Sequence, residues 1–273
     1  MKIFVCDNIL IKDRICAAYS FKPPYTATAV EKIIAAGMEL TDSQNEADAV
    51  LSTAELDGMY YIRPTYGTVS RFGLVAEVSS MDQIGVCAHE TDTAFFVLSA
   101  IAGYDKNDGT VYAKEKYDFF PPENEVKTVN LNDLDFKYAN CINAVLHIIS
   151  TAEFSGNAAR FDGLKFGYSA KNFTGTNELT VNSRSEAFTP ESKLKALMGT
   201  YVLSEGQFEK YYLKAAKLRR LINQGLDEIL KQYDAVRVPD AALAYLSGCP
   251  AFTKPDGSCF IAQKGKEGIF YGI

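Results

Sequence analysis

The sequence predicts an α/β fold, a mixed sheet core flanked by helices. Three observations carry this expectation. Strand-like apolar runs stand near both ends of the chain, at Lys2–Val5, Asp234–Val238 and Ser258–Ile261. Helical apolar spacing recurs between them. Finally, 47% of the 273 residues are hydrophobic and 23% charged, enough apolar material for a sizeable core.

In chain order, Lys2–Val5 reads as a short buried strand ending at the polar Cys6-Asp7-Asn8. After Pro23-Pro24, the span Thr26 to Ala36 places Ala27, Val30, Ile33 and Ile34 on one helical face, and Gly37 stops it. Thr41–Tyr60 is polar and weakly patterned, which predicts loop plus a short helix. Pro64 to Ser79 alternates turn signals with short apolar pieces. A helix over Thr91–Ala102 follows from Phe95, Val97, Leu98 and Ile101, with Gly103 as its stop. Tyr104–Asn124 reads as a turn-rich connector, Asn143–Ala159 as helix and Thr174–Asn182 as loop. Thr189-Pro190-Glu191 opens a helix with a cap, a first-turn proline and an acid. Ser204-x-x-Gln207 has the pattern of a capping box before the longest helix. That helix's apolar face runs from Phe208 through Ala215, Ile222 and Leu226 to Tyr233.

Composition excludes several function classes. No apolar run approaches the roughly 18 residues of a membrane span, and the first residues lack a signal-peptide pattern, so a cytoplasmic protein is expected. A net charge of −6 argues against dominant attraction to nucleic acid or anionic lipid. The six cysteines are scattered without a C-x-x-C pair and read as reduced thiols. With only His89 and His147 available, neither a metal site nor a serine–histidine–aspartate triad is supported, and no cofactor is expected.

Arg63-Pro64-Thr65-Tyr66-Gly67-Thr68-Val69-Ser70-Arg71-Phe72-Gly73-Leu74-Val75-Ala76 continues through Ser79-Ser80-Met81-Asp82-Gln83-Ile84-Gly85. This block resembles one typical of the amidase signature family, in particular the A subunits of tRNA-dependent glutamyl/aspartyl amidotransferases. Further similarity lies in Ile101–Thr110, Arg160–Tyr168, Arg184–Phe188 and Met198–Ser204, and in Cys6-Asp7-Asn8-Ile9 with Phe21–Thr28. The resemblance implies the amidase α/β core, shortened, as one domain over 1–273.

It also implies that the catalytic parts are missing. Family members use a lysine of a K-D-N string as base and two serines of a glycine/serine-rich loop. Here Cys6 takes the lysine position, no such serine loop is present, and the stretch from Leu40 to Arg63 is much shorter. The family's N-terminal helical region and part of its middle segment are expected to be absent too. Serine is a weak nucleophile until a neighbour removes its proton, so losing the base and both hydroxyls predicts loss of the amidase reaction. By the same resemblance Lys195 stands where the family holds a substrate carboxylate with arginine. A family tyrosine is replaced at Leu146 or His147.

Asp7, Asn8, Tyr66 and Lys195 are therefore expected to line a remnant pocket, or to be kept because they hold the fold. Cys6 reads either as a replacement nucleophile or as an inert thiol. Lys210, Lys214, Lys217, Arg219 and Arg220 read as a solvated helix face or as a patch for phosphate or an acidic partner. The function expected is a catalytically inactive partner-binding or regulatory protein, docking on a B-type amidotransferase subunit. The alternatives are an enzyme of altered chemistry using Cys6, and a small-molecule binder without chemistry.

Overall fold

The structure, a computed structural model, describes residues 1–16, 21–114, 117, 119–165 and 167–273. Phe166 of the Arg160–Tyr168 block, and Glu115, Lys116 and Asp118 of the connector, lie outside the described residues.

The strands β1 (Lys2–Val5), β2 (Glu39–Leu40), β3 (Ala49–Ser52), β4 (Tyr60–Arg63), β5 (Gly85–Ala88), β6 (Thr128–Asn130), β7 (Ala235–Val238), β8 (Ala251–Thr253) and β9 (Cys259–Ala262) join one nine-stranded mixed sheet. Its order is β2-β1-β3-β5-β4-β8-β9-β7-β6, so strands from the two ends of the chain meet at the β4–β8 pair. Strand residues alternate between faces. Ile3, Val5, Leu51, Ile62, Val86 and Phe252 point to the face covered by α1 (Thr28–Ala35) and α2 (Thr91–Ile101). The other face packs Val236, Ala251 and Ile261 against α3 (Ile142–Ala158), α6 (Lys214–Leu230) and α7 (Ala242–Ser247). Outside these lie α4 (Thr176–Ala187) and α5 (Pro190–Leu203).

Most expected elements form within a residue or two of their predicted bounds. Thr189 caps α5 by accepting from the Ser192 N–H, with Pro190 in the first turn. Three expectations are corrected. Thr41–Tyr60 holds a 3₁₀ turn, but also β3, whose four residues are all buried. A strand buried on both faces has no polar alternation to reveal it, and this one is flanked by acidic loops. Thr174–Asn182 is not loop, because α4 starts at Thr176. Its polar sequence leaves only Leu179 and Ser183 buried, so helical periodicity is faint. The Ser204 capping box does not form. The Ser204 hydroxyl donates back to the Tyr201 carbonyl, while the Gln207 N–H binds the Ser204 carbonyl. The chain then enters α6 through a π-helical turn, Glu209–Leu213, with Phe208 exposed.

Cys6, Cys87, Cys141, Cys249 and Cys259 are free thiols. No helix among the described residues is long and apolar enough to cross a membrane.

Candidate functional site

The register of β1, β3, β5 and β4 puts Phe4, Val50, Cys87 and Tyr61 in one row, with Ser52 and Arg63 on the same face. Among the described residues, no helical side chain joins the apolar cluster on this row. Instead the 53–59 connection crosses from β3 to β4, which run parallel with antiparallel β5 between them. Parallel crossovers usually need about a dozen residues, commonly with a helix. Here a short strap presses Leu56 and Met59 onto Val50, Tyr61 and Cys87. Cys6 and Ser52 lie at its edge.

Burial pushes the Cys6 thiol above its ordinary value; a hydrogen bond with Ser52 opposes this, the Asp7 charge adds to it, and Arg14 opposes it weakly. The Ser52 hydroxyl donates to the Ala54 carbonyl at 2.6 Å and accepts from the Ala54 N–H, so it serves the strap's turn. A thiolate is the reactive form, and this environment disfavours it. Alkylation of Cys6 by iodoacetamide at pH 7 is expected to run at least about tenfold slower than that of free cysteine. Peptide mass spectrometry over a time course measures it, and a rate matching free cysteine would revive Cys6 as a nucleophile.

Asn8 donates from Nδ2 to Thr53 Oγ1 at 3.0 Å, and its carbonyl accepts from the Val75 N–H, tying the loop after β1 to the strap. Asp7 is exposed, 3.9 Å from Arg14. The Tyr66 hydroxyl donates to the Ser79 carbonyl at 3.0 Å, and Arg71 lies over its ring. Lys195 is on α5, paired with Glu191 at 2.9 Å.

The Glu77–Asp82 loop is the hub of the region. Asp82 accepts from the Glu77 and Val78 N–H groups, and burial raises its pKa despite those bonds. Arg71 donates to the Ser79 carbonyl and Arg63 to the Met81 carbonyl. Asn157 reaches the Glu77 carbonyl and Ser79 Oγ, and Glu153 accepts the Ser80 N–H. Arg219 donates to Ser80 Oγ at 2.8 Å, to the Ser80 carbonyl and to the Leu246 carbonyl. Arg219 is thus not part of a solvated basic patch. It joins α6 and α7 to this loop.

Two cavities meet at Glu77. One, of about 290 Å³, is lined by Thr53, Arg63, Asp82, Leu146, Ser150 and Tyr245 among others. The other, of about 260 Å³, lies between α3, α4 and α5 and includes Phe154, Phe161, Phe188, Arg184 and Lys195. The four residues expected to line one pocket therefore divide. Asn8 borders the strap beside the first cavity, Lys195 lines the second, Tyr66 braces the loop near both, and Asp7 faces solvent. Of Leu146 and His147, Leu146 lines the first cavity and His147 is exposed. Arg63 and Tyr245 are not among the site residues the sequence pointed to. The available signal was a charge closing the otherwise uncharged run Met59–Ile62. Among the described residues no group of histidine, cysteine or carboxylate side chains is arranged to hold a metal.

A nine-stranded mixed sheet with helices packed on it defines the class, an α/β protein. Comparisons narrow this. The family model for Amidase matches residues 51–130 and 124–247. The A subunit of glutamyl-tRNA(Gln) amidotransferase from Clostridium botulinum is 33% identical over 243 residues, covering 76% of this chain and 50% of that protein. Its namesake from Campylobacter jejuni is 35% identical over 239 residues, covering 76% and 53%. The solved Thermotoga maritima A subunit superposes with a TM-score of 0.67 at 22% identity, over 100% of this chain and 81% of that one. The peptide amidase of Stenotrophomonas maltophilia gives 0.70 at 19%, over 98% and 80%. This chain belongs to the amidase signature family. It spans about half the length of the curated relatives it matches.

Proposed function

We propose that this chain is a catalytically silent member of the family with a partner-binding or regulatory role, its partner being a B-type amidotransferase subunit. One observation carries the silence: where the family's base and serines would work, a half-buried thiol with a raised pKa faces a serine committed to its own turn. Among the described residues no lysine or histidine lines the adjoining cavity. Its Ser150 hydroxyl donates to the His147 carbonyl, the ordinary helix back-bond.

Partner binding is supported by the similarity to A subunits and by the surface of α5. Leu194, Leu197 and Tyr201 follow one another at helical spacing and are 56%, 68% and 52% exposed. Contiguous exposed apolar side chains of this kind mark interaction surfaces. The one-domain expectation is supported by the single sheet, which draws strands from both ends of the chain.

The test is an ammonia-release assay with glutamine, run on the purified chain alone and with a B-type subunit, together with co-elution of the two. No ammonia above the blank, and co-elution that is lost in Leu197→Asp, are expected. Ammonia release abolished by Cys6→Ala would overturn the silence, and separate elution of the two wild-type proteins would overturn the partner.

A further inference from the structure

The cavity between α3, α4 and α5 is walled by rings. Phe154 on α3, Phe161 and Tyr168 on the connection to α4, and Phe188 just past α4 all line it, and each is half-buried rather than sealed in the core. Phe161 and Phe188 meet edge to face, with centroids 6.4 Å apart and planes at 73°. This is an arrangement that aromatic quadrupoles favour. Gly167, at a φ of 76°, lets the connection close on Phe161, since a Cβ there would lie 2.8 Å from the ring's Cδ1.

The polar groups of the wall are engaged within the protein. Arg184 donates from Nη1 to the Ala158 and Phe161 carbonyls and lies over the Phe188 ring at 4.7 Å. Ser183 Oγ accepts the Ala170 N–H, the Tyr168 hydroxyl donates to Glu186, and Lys195 pairs with Glu191. Among the described lining residues the bases Arg184 and Lys195 stand against the acids Glu77 and Glu191, so the wall carries no net charge.

We propose that this cavity binds an uncharged, flat aromatic molecule of one or two rings. An apolar cavity of about 150 Å³ suffices for benzene, and this one has about 260 Å³. A bound ring can meet Phe161 and Phe188 as they meet each other, which favours it over a saturated ring of the same size. A charged ligand would lose its hydration with no unpaired charge to receive it. Binding here needs neither amidase chemistry nor a partner subunit.

The chain has no tryptophan, so added indole can be excited beyond the tyrosine band and its emission followed alone. The test is a fluorescence titration of indole with the whole chain at pH 7, then displacement by benzyl alcohol, cyclohexylmethanol and indole-3-carboxylate. A saturable blue shift is expected, with benzyl alcohol displacing indole at least about threefold better than cyclohexylmethanol. Indole-3-carboxylate should bind at least about tenfold more weakly than indole. Ala187 lines the cavity yet is exposed at the end of α4, so Ala187→Leu narrows the space without entering the core. It should weaken indole binding at least about tenfold. Val181→Ser, at an exposed position of α4 outside the lining, should leave it unchanged. No saturable shift with the wild-type chain, equal displacement by the two alcohols, or tighter binding of the carboxylate would overturn the proposal. So would wild-type affinity in Ala187→Leu, or an equal loss in Val181→Ser.

Discussion

Gly199→Ala is expected to lower stability by about 3 kcal/mol or more, read as a shift of the urea unfolding midpoint. Gly199 is buried on α5 where that helix crosses α3. A Cβ at this position would lie 1.9 Å from the Thr151 carbonyl oxygen and 2.7 Å from Ser155 Cβ. The obstacle is helix backbone, which cannot turn aside as a flexible side chain does. Helix propensity pulls the other way, since alanine is favoured over glycine by about 1 kcal/mol within a helix. The clash is expected to win because separating two packed helices uncovers apolar surface along both. It should also disturb the second cavity, whose walls include Phe154 on α3 and Lys195 on α5. A loss below about 1 kcal/mol would mean that α5 slides on α3 without cost.

The second large effect is expected at Asp105, a buried carboxylate beyond the α2 helix. Its Oδ2 accepts from Thr28 Oγ1 and Ser70 Oγ, each at 2.6 Å, and its Oδ1 from the Asn107 N–H at 2.8 Å. Lys32, whose ammonium donates to the Ile101, Ala102 and Gly103 carbonyls at and just past the end of α2, adds a favourable charge. Asp105→Ala leaves these donors without their acceptor and should cost about 2–4 kcal/mol, measured in the same urea titration.

The same group sets a pH dependence. Burial alone would raise the Asp105 pKa, but the Ser70, Thr28 and Asn107 hydrogen bonds and Lys32 more than offset it, so the folded value is depressed. Asp108 is depressed likewise, with burial outweighed by Thr110 and Arg71. A carboxyl of depressed folded pKa contributes its full stability above the unfolded value of about 4 and loses it as pH falls through the folded value. Wild-type stability should therefore fall below about pH 4–5, and more gently in Asp105→Asn. Parallel pH profiles for the two proteins would sink this assignment.

These positions also show how far the sequence could be read. Asp105 and Asp108 lie in the Ile101–Thr110 block that carried family resemblance, and the structure supplies the reason such residues hold together. They fasten the loop after α2 to Ser70 and Arg71 of the other family-like block. Ser79–Gln83 is explained in the same way, as a loop gripped through its backbone by Arg63, Arg71, Glu153 and Arg219. Nothing in spacing along the chain announces those grips. Arg219 and Ser80 are far apart in sequence and meet only because α6 folds back over the sheet. Read locally, Arg219 is one of several basic residues on an amphipathic helix.

What the sequence determined by itself was whatever depends on near neighbours. That includes the α1, α2, α3 and α5 helices, the Thr189 cap, the strands β1, β7 and β9, the family, and Cys6 in the place of a lysine. Tertiary structure decided the rest. It recovered β3, β4, β5 and β8, short strands whose burial comes from layers on both faces rather than from alternation. It separated Lys195 from Asn8, turned α4 into a helix, and laid a short strap over Tyr61. It also buried Arg63 in the wall of a cavity. Burial and hydrogen-bond partnership arise from segments distant in the chain, and only the assembled sheet fixes which side chain meets water and which meets another residue.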